Sequence, residues 1–396
     1  MNATFVGRCR AVLLVLACAA GFVGQTTGVA EARRHRHERQ SSPKSEAKDV
    51  TPCDRLAADP SDLSKVSPGV ALKAIKGSEA LKQCQPLRKK FPTVARFAYQ
   101  TGRSLENLGK LPEALAAYRD GAGLGSSVSA CRAGEMLKDG IGGKADQREA
   151  TRLLRLGVEK GDIACSLALA RQLAEGRGVR ASKGEAAKLY KAAAAKGDPD
   201  ALNSLGELLR EGDGIGRDEK QAAGLFDKAA GRGSVRALFN LGLAYRDGTG
   251  VPRDMDKALH YFEDAGTRGD HEALLKIAYA YLTGNGVKED DRRALVYYEK
   301  AANAGNADGM AGVAYIFANA RGVEADPVQA ASWLYKALAA GSSYALNQMT
   351  DHSNEWSVEV RKALEEALIA KGLLRGSADG TFAPETMAAI HKLAGK

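Results

Sequence analysis

The side chains best equipped for chemistry are six cysteines, six histidines and several short runs of carboxylates. Cys9 and Cys18 lie near the amino terminus, which leaves Cys53, Cys84, Cys131 and Cys165 for the body of the chain. An even number of thiols in an oxidising compartment invites disulfides. Four cysteines admit three pairings, and Cys53–Cys84 with Cys131–Cys165 is the economical one. The histidines, at 35, 37, 260, 271, 352 and 391, are scattered. None pairs with those cysteines or with carboxylates at metal spacing, so no zinc site and no cofactor is expected. The glycines of Gly212-Asp213-Gly214-Ile215-Gly216 imitate a phosphate loop, but they follow no strand and recur at a fixed interval, so they read as turns. Carboxylates such as Glu289, Asp290 and Asp291, or Asp254 and Asp256, could serve acid–base or metal chemistry. They fall where a helix begins, and acids there favour the helix dipole. No catalytic residue emerges, and the chain reads as a non-enzyme.

The elements that position these residues are set by a repeat of 36 residues. Taking Ser129, Cys165, Ala201, Ala237, Ala273 and Gly309 as first positions, Gly140, Gly176, Gly212, Gly248 and Gly284 share a column, with Ala320 in the sixth copy. Two residues on, Gly142, Gly178, Gly214, Gly250, Gly286 and Gly322 coincide without exception. An alanine column runs from Ala150 to Ala330, and each unit closes on a glycine, from Gly161 to Gly341.

Apolar residues ahead of the first glycine follow helical spacing, as in Leu205, Leu208 and Leu209. A second amphipathic stretch carries pairs such as Leu225-Phe226, Tyr261-Phe262 and Trp333-Leu334. Between them, Gly-x-Gly permits the positive φ that ends one helix and reverses the chain. The alanine column lets the two helices approach closely. Each unit is a helical hairpin that buries its faces only by stacking on its neighbours.

The pattern ALFNLGLAYRDGTGVPRDMDKALHYFEDAGTRG, from Ala237 to Gly269, closely resembles the Sel1-like repeat, and the resemblance covers residues 129–344 in six copies. It implies an all-α, right-handed α-α solenoid of tetratricopeptide-like hairpins that binds proteins. Ahead of it, ARFAYQTGRSLENLGKLPEALAAY, from Ala95 to Tyr118, resembles a tetratricopeptide repeat without the Gly-x-Gly turn. Residues 53–128 are therefore expected to form a helical cap and one such repeat. Cysteine-rich Sel1 proteins with proposed penicillin-binding activity carry paired cysteines within most repeats; this chain has single ones in two repeats.

At the amino terminus Arg8 and Arg10 precede the apolar run Ala11–Ala20, which is shorter than the roughly 20 residues that span a bilayer. Small residues at Gly28, Ala30 and Ala32 fit a cleavage site, so residues 1–32 read as a signal peptide, and the mature chain as an exported, periplasmic protein without a transmembrane span. Lipoprotein processing at Cys18 is the alternative. Residues 33–52 are basic and polar, without apolar periodicity, and read as a disordered linker. The net charge of +9 comes from acids and bases that alternate along most of the chain, which describes solvated helix faces and not a nucleic-acid surface.

Residues 345–356 are expected to be a linker, since the seventh unit that Ala345 begins dissolves into polar sequence. Beyond it, residues 357–396 resemble a peptidoglycan-binding-like domain, a small three-helix module, through Gly372, Gly376, Asp379, Gly380, Phe382 and Thr386. The family's usual Gln on the first helix falls at Glu365, and its closing Phe-Gln pair reads Leu393-Ala394. The resemblance implies docking to peptidoglycan.

By family analogy the first helix of each hairpin lines the concave side. Positions three, seven and ten of the unit share one face, which places Asn203, Arg210, Phe239, Arg246, Tyr279 and Tyr315 together. Aromatics and Arg dominate hot spots, so these residues form a candidate partner surface; filling contacts between adjacent helices is the competing role. The functions consistent with this are a cell-envelope scaffold or adaptor, a periplasmic regulator restraining a sensor kinase, or an enzyme acting on peptidoglycan or β-lactams, for which no active site is visible.

Overall fold

Every helix of the array begins on a side chain that accepts a hydrogen bond from the backbone N–H three residues on. Ser126, Asp162, Asp198, Ser234, Asp270 and Asn306 cap the first helices of the hairpins. Asp146, Ser182, Asp218, Asp254, Asp290 and Asp326 cap the second helices. Such a cap contributes about 1 kcal/mol. The carboxylate runs that follow the turns are thereby accounted for: Asp254 and Asp290 are caps, while Glu289 and Asp291 both pair with Arg321.

The computed structural model describes residues 49–62 and 65–395, among which there are nineteen α-helices and no strand. The expected signal peptide, the Cys18 alternative, His35, His37 and nearly all of the basic linker lie outside the described residues. The chain enters through α1 (Pro52–Ala57), α2 (Gly77–Lys90) and the hairpin α3 (Ala95–Asn107) and α4 (Leu111–Gly123). Six hairpins follow: α5 (Ser127–Asp139) with α6 (Gln147–Glu159), α7 (Ile163–Glu175) with α8 (Lys183–Ala195), and α9 (Pro199–Glu211) with α10 (Glu219–Ala230). Then come α11 (Val235–Asp247) with α12 (Met255–Thr267), α13 (His271–Thr283) with α14 (Asp291–Asn303), and α15 (Ala307–Ala318) with α16 (Pro327–Ala339). The first helices start two residues ahead of the frame chosen from the sequence. Consecutive helices pack on one another throughout, which is the α solenoid that the repeat implies.

The two glycines of each turn differ in purpose. The first adopts a left-handed conformation, and an added Cβ would meet atoms of its own turn at 2.9–3.5 Å. Its requirement is mainly one of φ, with contacts confined to its own turn, and Ala320, with φ +54°, stands in for it in the sixth copy. The second glycine lies against the start of the preceding hairpin's second helix, where an added Cβ would come within 2.0–3.0 Å of it. That contact joins neighbouring repeats, and no side chain fits in all six copies.

The ends of the array are closed by different means. At the amino end a disulfide joins Cys53 of α1 to Cys84 of α2. The buried Asp54 carboxylate accepts from Gln100 Nε2 at 2.8 Å and Arg96 Nε at 3.1 Å. Buried Arg103 donates to the carbonyls of Ala57, Ala58 and Val70. Removing one partner of such a buried charge network costs about 3–5 kcal/mol, so the cap is locked onto α3. A second disulfide, Cys131–Cys165, ties α5 to α7 across two repeats.

At the carboxy end the structure corrects the expected linker. Residues 343–350 form α17 (Ser343–Thr350), capped by Ser342 and burying Ala345, Leu346 and Met349. A short 3-10 turn and buried Trp356 follow. The polar residues that suggested a linker are the outer face of these elements. The terminal segment then supplies two α-helices, α18 (Val358–Ala370) and α19 (Pro384–Leu393), where three were expected. Their Val360, Leu364, Leu368 and Ile390 share one core with Leu334, Leu338 and Met349 of the array. The segment caps the open face of the last hairpin and is not a separately tethered module. No helix among the described residues is long and apolar enough to cross a membrane.

Candidate functional site

The six residues assigned to the concave face are dispersed by the structure into different environments. Asn203 is buried at 3 % exposure and accepts from Asn240 Nδ2 at 2.8 Å. Asn240 also reaches Glu207 at 3.2 Å, and Arg210 Nη1 reaches Asn240 Oδ1 at 3.4 Å. These side chains form a polar ladder between α9 and α11. Phe239 is half-buried, its ring 5.6 Å from that of Phe262 on the next helix. Here the side chains fill contacts between repeats.

Further along, the same face opens. Tyr279 on α13 is 56 % exposed, far more than any other aromatic of the array's first helices. It lines a cleft of about 840 Å³ with Arg246, Tyr298, Tyr315, Arg321 and Tyr344. Arg246 is oriented by both oxygens of Asp247, at 2.7 and 2.8 Å. Arg321 is held by Asp291 and by the Leu282 carbonyl, each at 3.0 Å. Burial, with the neighbouring phenols, pushes Tyr298 up to about 12, so it stays a neutral donor. Burial likewise raises Tyr344. Aromatic faces, neutral phenols and fixed guanidiniums suit recognition: they can stack on side chains and donate to carbonyl or carboxylate oxygens.

Three members of this cleft escaped the sequence reading. Tyr344 counts in the sequence as the last residue of the sixth unit, whereas it stands in the first turn of α17, most of which reads there as a linker. Tyr298 belongs to a column otherwise read as core, and Arg321 to a turn. Their convergence depends on the stacking of the elements from α13 to α17.

Cys131, Cys165 and Asp162 bring their ligand atoms within 4.8 Å of one another. The two sulfurs are bonded to each other, so they have no thiolate to offer a metal.

In the terminal segment the motif residues are occupied with their own loop. Glu365, in the place of the family's Gln, is buried at 2 % exposure. Its carboxylate accepts from the Asp379 and Gly380 backbone at 3.0 and 2.8 Å, and from Thr386 Oγ1 at 3.0 Å. Hydrogen bonds from Thr381 hold the Asp379 carboxyl below its usual range. Gly372, Gly376 and Gly380 take positive φ, and Phe382 packs against the shared core. A Gln here would accept the two backbone N–H groups at its carbonyl oxygen and donate its amide to the Thr386 hydroxyl, so Glu365 preserves the same contacts.

No curated protein matches the chain. Among solved structures, a Sel1 repeat protein from Oxalobacter formigenes is 30% identical, with a TM-score of 0.55, over 60% of this chain and 98% of that one. The protective antigen c5321 of uropathogenic Escherichia coli, which displays an SLR fold, has a TM-score of 0.56 at 22% identity, over 83% of this chain and 73% of that one. The Sel1 repeat model itself matches residues 127–162, 165–198, 199–234, 235–270, 271–306 and 307–342, the six hairpins from α5 to α16. With that match spanning more than half its length, the chain belongs to the Sel1 repeat family.

Proposed function

We propose that this protein is an exported scaffold or adaptor of the cell envelope, and that it seats a protein partner in the aromatic cleft of its last three hairpins. Sel1 repeats act as protein–protein interaction scaffolds. The observation that carries the choice of surface is Tyr279, an exposed ring beside Tyr315, Tyr344 and two oriented arginines. Large aromatics and arginines supply most of the free energy at protein interfaces. Two disulfides support an oxidising location. The terminal segment would bring the array to peptidoglycan through its loop at Asp379–Phe382.

A photo-crosslinking residue placed at Tyr279 tests this in cells, with Val328, 70 % exposed on α16, as the control position. Tyr279 should capture one discrete envelope protein that Val328 does not, and Tyr315→Ala should abolish that capture. The same abundant proteins at both positions would sink the reading.

A further inference from the structure

Between α8 and α10, over the side of α9, lies an open groove of about 1330 Å³, distinct from the aromatic cleft. Its floor is aliphatic: Leu202, Leu205 and Leu209 of α9, with Leu225 of α10. Its α8 wall is low because the helix presents Ala187, Ala194 and Ala195 there. Five basic side chains, Lys188, Lys191, Lys196, Lys228 and Arg232, line it against one acid, Glu185. That acid is engaged by Arg155 at 2.9 Å. Among the described residues Lys188, Lys191 and Lys228 are exposed and have no carboxylate partner, while Lys196 is satisfied by the Gly161 carbonyl.

The neighbouring gaps differ. At the columns of Lys188 and Lys191, the preceding hairpin has Arg152 and Arg155, which pair with Glu149 and Glu185. At the columns of Lys191 and Lys228, the hairpin of α11 and α12 has Glu263 and Asp264. Gly216, which lines the groove's edge, would meet nothing within 4 Å if it carried a Cβ, so the groove is open there.

We infer that this groove binds an acidic protein segment carrying apolar side chains. The inference rests on the scaffold reading only for the ligand being protein. An α8 of 13 residues gives a groove about 20 Å long, room for about six residues of extended chain. The cations are spread along both walls, which matches carboxylates distributed along a peptide. A single anionic headgroup would call for one cluster, and an acyl chain for an enclosed tunnel. Leucine-type side chains would cover the aliphatic floor while glutamates or aspartates meet the lysines.

The probe is a fluorescein-labelled peptide of alternating glutamate and leucine, measured by anisotropy against the intact mature protein. The combined K188E, K191E and K228E substitution should weaken binding by at least about tenfold, since each rim pair contributes a fraction of that. Ala195→Glu, at an exposed position on the wall, should do the same by obstruction, with unchanged helix content and melting temperature in both variants. Raised salt should weaken binding, and Tyr279→Ala should leave it intact. Absence of binding, equal binding by the charge-reversed protein, or binding of phosphatidylglycerol vesicles in place of the peptide would overturn the inference. Partner capture at Tyr279 alongside any of these results would leave the scaffold reading standing.

Discussion

Hairpins one to three and hairpins four to six share a backbone and a turn, yet two columns of the repeat change character between them. Where the first and second helices meet near the turn, the early hairpins carry Leu137 with Leu153, Leu173 with Leu189, and Leu209 with Leu225. The later ones carry Tyr245 with Tyr261, Tyr281 with Tyr297, and Phe317 with Trp333. The two tyrosine pairs stack, with centroids 5.6 and 6.1 Å apart. Lysines lie over several of these rings, Lys300 at 4.4 Å from Tyr297 and Lys336 at 3.9 Å from Trp333. One solenoid thus has an aliphatic half, tied by a disulfide and holding an open basic groove, and an aromatic half whose cations rest on rings. The lesson is that the repeat dictates backbone path and spacing, while these variable columns decide whether a gap between hairpins is filled or left open.

The largest expected effect tests whether the halves are separate units of stability. Replacing Cys131 and Cys165 with serine opens a closure of sequence separation 34, for which chain entropy predicts a loss of about 3–4 kcal/mol. Hydrogen exchange should speed up in α5 to α8 and stay slow in α13 to α16. Equal loss of protection throughout would make the array one cooperative unit and blur the contrast. Next come the turn glycines, which should behave alike in both halves. Gly214→Ala and Gly250→Ala combine a left-handed alanine with a collision against the preceding hairpin, a loss of about 3 kcal/mol each. Gly212→Ala and Gly248→Ala carry the conformational strain and contacts only within their own turn, about 1–2 kcal/mol. Denaturant titration of the four variants would show no difference between first and second glycines if the inter-repeat contact were unimportant. The smallest effect concerns the columns themselves. Tyr281→Leu with Tyr297→Leu gives a late hairpin an early hairpin's pair, and the lost ring stacking should lower stability by about 1 kcal/mol with helix content retained. A much larger loss in thermal melting would mean that the tyrosines are part of the core and not a covering of the gap.

How much was legible can be judged from particular residues. The glycine and alanine columns revealed the six hairpins of the array, because each needs the same φ and the same close approach six times over, and repetition makes a local requirement visible. The pairing of Cys131 with Cys165 was only the economical choice among three, and the structure forms it between successive first helices. The polar run after Met349 misled, because a helix with one narrow buried face and an aromatic on the next turn looks like loop when its partner helices are unknown. The concave-face residues were assigned by register alone. Register says that Asn203 and Tyr279 lie on comparable faces, but it does not say that one is buried under a neighbouring Asn while the other stands in solvent.

By itself, then, the amino-acid sequence determined the helical hairpin, its period, its caps and its turns, since these depend on backbone conformation and on contacts within about one repeat. Tertiary structure alone decided how distant groups meet: that Tyr344 joins Tyr279 and Tyr315, that Glu365 holds the terminal loop to α18, and that Lys188, Lys191 and Lys228 line an open groove with an aliphatic floor. Each of these brings together groups from separate elements, and their exposure depends on the size of every neighbour at once.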